Sequence, residues 1–296
     1  MNRCAFSSYH PAVMLAFFVG AIVLGVIIQR PLFQVAGLVA AACLYVSIRA
    51  RAAFKVIGGL AVAFVVIALV NPLFTPQGAD VLFTYFGGRP YTLQGLVYGC
   101  STSAMFVTIM LWFASYSHLM TSDRFSYLFG GVAPAITLVL TMVLRLVPSY
   151  QRKATHISTA RKGIGKSAFD GGLRHRVEDG ALVLSALATW SLEGSITTAD
   201  SMRSRGYGLG KRTSFARYRM RASDGVLAAL LAASFVGVCA CVLSGALDVT
   251  YLPQLVMKPL DGIGWLALLG FGLFLFAPTA INGGEALKWR CSLSRI

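Results

Sequence analysis

The sequence predicts an all-α membrane protein with about six transmembrane helices and further long helices in a cytoplasmic insert. Three observations carry this. First, 56% of residues belong to the hydrophobic set and only 12% are charged, with a mean hydropathy of +0.70, whereas a soluble domain carries about 25% charged residues. Second, six apolar runs approach the roughly 20 residues needed to cross about 30 Å of hydrocarbon. Third, the segment His118 to Asp224 holds 16 of the 26 Lys and Arg and seven of the 11 Asp and Glu, a net of +9.

The first run, Ala12 to Ile28, follows a single basic residue, Arg3, and has no convincing small-residue cleavage site, so it reads as a retained span rather than a removed signal peptide. Only Gln29-Arg30-Pro31 separates it from Leu32 to Ile48. The others are Phe54 to Val70, Leu96 to Tyr116, Val226 to Leu247 and Ile263 to Ile281. Pro31 and Pro72 are expected at helix ends, where proline is tolerated.

Leu128 to Val147 is interrupted by Gly130-Gly131, Pro134 and Arg145, and Ala181 to Leu192 is too short to span. A seventh crossing at Leu128 to Val147 would put the basic block Arg152 to Arg221 outside, against the enrichment of Lys and Arg in cytoplasmic loops. That run is therefore expected to lie partly in the membrane or to pack on the bundle. The loops Pro72 to Gln94 and Asp248 to Asp261, where Arg89 and Lys258 are offset by aspartates, read as external, and both termini as cytoplasmic, which puts Arg30 outside in a short turn. The resulting domains are 1–118 with four spans, 119–223 as the insert, and 224–296 with the last two spans and a basic tail of Lys288, Arg290 and Arg295.

So few charges exclude the polar basic face of a nucleic-acid binder. The six cysteines and four histidines are dispersed, with no C-x-x-C and no ligand spacing, so no metal site is expected. Glu178, Asp179, Glu193 and Asp200 are too dispersed for an acid–base pair and read as solvated or salt-bridged.

Within the insert, Leu192, Ile196, Ala199 and Met202 recur at spacings of four, three and three, one face of a helix. Gly206 stands where that helix would end in a left-handed residue, and Arg205 before it suits the negative end of the helix dipole. Ala154, Ile157 and Ala160 lead likewise to Arg161, Lys162 and Gly163. Two ordinary caps on the basic side of a membrane account for these features equally well. Duplication favours a function, because an arginine exposed at a rigid helix end can make paired hydrogen bonds to a carboxylate in an acidic groove of another protein.

The stretch "SMRSRGYGLGKRTSF" resembles the X-Arg-Gly coupling signature of the transmembrane, or T, component of energy-coupling factor (ECF) transporters, a family that includes cobalt-transport permeases of the CbiQ type. Ordered similarities run along roughly 280 residues: "YHPAVML", "NPLFTPQGADVLF", "YTLQGLVYG" and "APAITLVLTMVLRLVPSYQRKATHI". The resemblance implies a non-catalytic subunit of a prokaryotic inner membrane. Its cytoplasmic coupling helices would insert two tips into grooves on two ABC ATPase subunits, while a small membrane S component captures a vitamin, a precursor or a metal ion. ATP and magnesium would be bound by the ATPases, leaving no cofactor in this chain, and membrane lipid would surround it. Ser204, Arg205 and Gly206 match the second tip. At the first, Arg161-Lys162-Gly163 puts lysine beside the glycine, so either Lys162 supplies a point charge or Arg161 reaches across. Arg145, in "VLRLVP", reads as an interfacial arginine with its stem along the bundle; the alternative is a brace for one coupling helix.

Three rival readings use the same residues. "ARKGIGKS", Ala160 to Ser167, fits a relaxed phosphate-loop pattern, but that loop needs a strand before it and begins here with alanine. An ordinary ABC permease also has a cytoplasmic coupling helix, generally one per chain. A secondary transporter would place ionisable residues at mid-membrane within repeated halves, and neither is seen.

Overall fold

Apolar stretches longer than a few turns, bounded by proline and capping residues, build a predominantly helical chain in the computed structural model. It describes residues 5–75, 78, 80–85, 89–130, 133–165, 172–210, 218–251, 256–257, 259 and 261–293. The helices are α1 (Pro11–Ile27), α2 (Pro31–Arg49), α3 (Ala53–Phe74), α4 (Leu93–Leu119), α5 (Ser122–Gly130), α6 (Pro134–Gly163), α7 (Leu173–Ser204), α8 (Ala222–Leu243) and α9 (Gly262–Leu293). Two short antiparallel hairpins that the sequence did not suggest join α3 to α4 (β1, Val81–Tyr85; β2, Arg89–Thr92) and α8 to α9 (β3, Val249–Thr250; β4, Val256–Met257). The chain divides into two compact units, one of residues 1–121 with 218–296 and one of residues 122–217.

In the first unit α2, α3, α4, α8 and α9 are each long and apolar enough to cross a membrane. The chain is an all-α multi-pass membrane protein at that level. α1, at 17 residues, is shorter; it falls at the lower end of the spanning range of about 17–25 residues. His10 caps it, Nδ1 accepting from the Ala12 N–H at 3.2 Å, and Pro11 takes the first helical position, where its missing N–H costs nothing.

Lipid tails are as apolar as leucine, so helices in a bilayer are held by close packing and hydrogen bonds rather than by exclusion of water. Both are visible. Phe17, Phe18, Trp112 and Phe274 from α1, α4 and α9 are buried, with ring centroids 5.2–6.1 Å apart. Gly20 makes room for that cluster, since a Cβ there would lie 2.7 Å from Phe274 Cζ.

α3 and α4 approach by a different device. Pro72, expected at a helix end, lies inside α3 and is buried; with no N–H, it leaves the Ala68 carbonyl four residues earlier without its helical donor. α4 closes onto that carbonyl through Gly99, where an added Cβ would stand 2.7 Å from Ala68 O. One turn earlier, Gly95 brings α4 against Pro72 itself. Gly95 and Gly99 therefore act as a small-x-x-x-small contact.

The turn between α1 and α2 is tied down rather than exposed. Gln34, buried in α2, donates from Nε2 to the carbonyls of Gly25 at 2.9 Å and Ile28 at 2.7 Å, which otherwise have no intrahelical partner. The Gln29 carbonyl accepts from Ser101 Oγ at 3.1 Å, and the Tyr251 hydroxyl lies within reach of both. Arg30, expected in a short surface turn, is only 4% exposed.

Gly99→Ala is expected to lower the stability of the first unit by about 1–3 kcal/mol, because a backbone carbonyl cannot move aside as a side chain can. Gly237→Ala on α8, where a Cβ meets nothing within 4 Å, should be neutral or stabilising by up to about 1 kcal/mol. Thermal unfolding of the two detergent-solubilised variants compares them directly.

Candidate functional site

The second unit, residues 122–217, contains every expected docking residue. The run Leu128 to Val147 is not one helix here. α5 ends at Gly130 and α6 begins at Pro134, with Ala133 at φ −135°, ψ 73°. Proline at 134 disfavours helical backbone at 133 and would crowd the carbonyl at 130, so the break sits where the sequence puts it. α6 then continues for 30 residues with Pro148 inside it, joining the apolar run and the first basic tip in one helix.

α7 ends as the sequence suggests. Its last helical residue is Ser204, Arg205 is the cap, and Gly206 adopts φ +75°. The Tyr207 N–H donates to the Met202 carbonyl at 3.0 Å and the Gly206 N–H to the Arg203 carbonyl at 3.0 Å. That pair of bonds is a Schellman cap, which requires a left-handed residue at the position of Gly206. Gly208 follows at φ +94°, so the chain folds tightly behind Arg205, which is exposed. Tyr207 and Leu209 flank it, and Leu209 is 90% exposed.

The first tip differs from the expectation. Gly163 is still helical; the left-handed residue is Gly165, at φ +75°, and Ile164 is the cap. The Gly165 N–H donates to the Lys162 carbonyl at 3.1 Å. Position for position, Ser204-Arg205-Gly206 therefore corresponds to Gly163-Ile164-Gly165. Arg161 and Lys162 stand within the last helical turn, and the residue at the cap is an aliphatic that is 72% exposed.

Arg161 is also engaged. Its guanidinium Nη2 pairs with Asp179 Oδ1 on α7, the two side chains being 21% and 6% exposed. Lys162, next to it, is exposed. The same α6–α7 contact continues at Tyr150. Its hydroxyl is 2.7 Å from Ser191 Oγ, its ring meets Trp190 edge-on at 5.5 Å, and Lys153 Nζ stands 5.3 Å from the Trp190 ring centroid.

These pairs run in opposite directions along the chain, 150 with 190–191 and 161 with 179, so the helices are antiparallel. From Asp179 to Ser204, α7 extends 25 residues, roughly 37 Å at 1.5 Å per residue. The tips consequently lie at opposite ends of one helix pair. Sequence reasoning missed Tyr150, Lys153, Trp190 and Leu209 and left Asp179 among dispersed acids. No local pattern links residues 18 or 40 apart on different helices.

Arg145 is exposed on α6 and has no ion pair among the described residues. The face of Leu192 and Ile196 is also exposed, at 68% and 64%. Within "ARKGIGKS", Ala160 to Gly163 close a long helix where a phosphate loop requires a strand; Lys166 and Ser167 lie outside the described residues, as do Lys211 and Arg212 after the second tip. Among the described residues no group of His, Cys, Asp and Glu is placed to hold a metal ion. No family model matches the chain, and no curated protein matches it.

The caps predict an order of substitution effects. Gly206→Ala and Gly165→Ala force a Cβ into left-handed backbone and should each cost about 1–2 kcal/mol, whereas Gly163→Ala, helical and open on all sides, should gain up to about 1 kcal/mol. Hydrogen exchange at the ends of α6 and α7 reads the three. Arg161→Ala removes the guanidinium from a buried carboxylate and should cost about 3 kcal/mol, more than Asp179→Asn, whose arginine can reach water; exchange across 150–163 and 179–191 measures both.

Proposed function

We propose that this chain is the transmembrane T component of an ECF-type ABC importer. In this reading it is a non-catalytic coupling subunit that passes ATP-driven motion of two ATPase subunits to a small substrate-capturing S component, for uptake of a vitamin, a precursor or a metal ion. The observation that supports it is the pair of basic helix ends at opposite ends of one antiparallel helix pair, in a chain whose other unit is built of membrane-spanning helices.

Each tip combines a cation with an exposed aliphatic: Arg205 with Leu209, and Lys162 with Ile164. That composition suits an acidic groove with an apolar floor, since arginine and apolar anchors dominate the energetics of docking. A separation of roughly 37 Å matches two bodies rather than one. The ion pair Arg161–Asp179 and the Tyr150–Trp190 contact would make α6 and α7 move together, so displacement of one tip tilts the other. On a count of six spans that includes α1, the distribution of Lys and Arg favours both termini and the basic unit on the cytoplasmic side; a prokaryotic inner membrane is what the resemblance to the family implies. ATP and magnesium belong to the ATPases in this scheme.

Arg205→Glu is the decisive substitution. It should weaken retention of the ATPase subunits by tenfold or more, consistent with about 2–5 kcal/mol for a docked charge pair, and abolish uptake while leaving the purified chain folded. Co-purification of the ATPases with tagged chain measures the first effect and cellular uptake the second. Unchanged assembly together with unchanged uptake overturns the docking role.

A further inference from the structure

The hairpin of α5 and the first half of α6 exposes an apolar face that water does not favour, and its charges are placed for a lipid surface. Ile136, Val139, Val143 and Val147 recur at spacings of three, four and four, on one face of α6, with exposures of 70%, 58%, 47% and 46%. Phe129, at the end of α5, is exposed beside the turn, its ring 4.5 Å from that of Phe125. α5 packs on α6 at the turn, where a Cβ on Gly130 would lie 3.8 Å from the Thr137 methyl.

Arg145 lies nine residues beyond Ile136, which at 100° per residue places it on the opposite face of the helix. Arg152 follows two turns later on nearly the same line, in a shallow groove with Pro148, Gln151, Thr155 and His156. All 30 residues of α6 contain three arginines and two lysines beyond none of the acidic type: Arg145, Arg152, Lys153, Arg161 and Lys162 are present, and Asp and Glu are absent. Only Met120 and Thr121 separate this hairpin in sequence from the end of α4, a helix long and apolar enough to span.

We propose that the α5–α6 hairpin is an interfacial anchor, seated in the headgroup–acyl boundary of an anionic bilayer, with Ile136, Val139, Val143 and Val147 toward the acyl chains and Arg145 and Arg152 on headgroup phosphates. Length excludes a crossing. Residues 134–147 rise roughly 21 Å, short of about 30 Å of hydrocarbon. Depth is limited too, because the non-helical backbone at Ala133 cannot sit against lipid in the bilayer centre. An in-plane helix buried by about 5–10 Å satisfies both limits. Anionic lipid attracts juxtamembrane basic residues, and the arginine fork matches a phosphate. The proposal does not depend on ATPase docking and survives its failure.

The test places spin labels at Val139→Cys, Val143→Cys and, on the polar side, Thr155→Cys, in full-length chain with its native cysteines replaced. The chain is reconstituted in vesicles of phosphatidylcholine alone and with 30% phosphatidylglycerol. At 139 and 143 the labels should be accessible to oxygen and shielded from a water-soluble nickel chelate, at a depth of about 5–10 Å. The shielding should increase with phosphatidylglycerol, and Arg145→Gln with Arg152→Gln should remove that increase. Labels at 139 and 143 as chelate-accessible as the one at 155 overturn the proposal, and so do labels shielded from both reagents, which would mean that a protein covers the stripe. Because removing cysteines can disturb folding, the unaltered chain is also reconstituted with photoreactive phosphatidylglycerol. Cross-links concentrated in residues 129–152 are expected, and their absence there overturns the proposal independently.

Discussion

A backbone carbonyl that loses its helical partner must find another, and much of this structure is arranged by where it finds one. In hydrocarbon no water is available to take its place. Pro72 frees the Ala68 carbonyl, and α4 approaches it through Gly99. The end of α1 frees the carbonyls at Gly25 and Ile28, and the Gln34 amide takes both. The Gln29 carbonyl draws in Ser101 of α4 and reaches Tyr251 from the β3–β4 region. The Gln34 bonds close the turn between consecutive helices, while those at Gln29 join elements far apart in sequence, so satisfying local backbone groups also sets which helices touch.

The same accounting shapes the second unit, where the helix ends fold back on themselves instead. At Gly206 and Gly165 a left-handed residue returns an N–H to the last turn, which lets a long rod stop abruptly while its final side chains remain outside. Such an end is rigid and exposed at once. A flexible end would lose ordering entropy on docking, and a buried one would present nothing. The two ends are not copies: one carries Arg205 at the cap, and the other carries an aliphatic cap with its arginine turned inward to Asp179. If both engage partners, the partners meet different chemistry, as two unlike ATPases or two unlike faces of a pair would require.

The α6–α7 contact includes polar and aromatic pairs, and between them Ala154 and Ile157 of α6 and Val183 and Leu187 of α7 are half-buried. Tyr150, Trp190, Lys153 and the Arg161–Asp179 pair cover a few turns, while Leu192, Ile196 and the stripe on α6 remain exposed. A contact of this kind fixes register strongly through geometry and leaves large apolar faces for other surroundings.

Composition and periodicity alone determined that the chain is helical and membrane-embedded, that a basic block interrupts the spans, and that α7 stops at Gly206. These properties depend on transfer energies and on backbone preferences within a few residues, which a single strand of sequence carries. The break at Pro134 was equally legible, because proline acts on its immediate neighbours. Tertiary structure alone decided that the first stop is Gly165 and not Gly163, that Arg161 faces Asp179, that Pro72 sits within α3, and that Arg30 is buried. In each case the outcome turns on a partner far along the chain, or on two nearby glycines with nearly equal local claims. Local sequence leaves such choices close in energy, and packing supplies the difference.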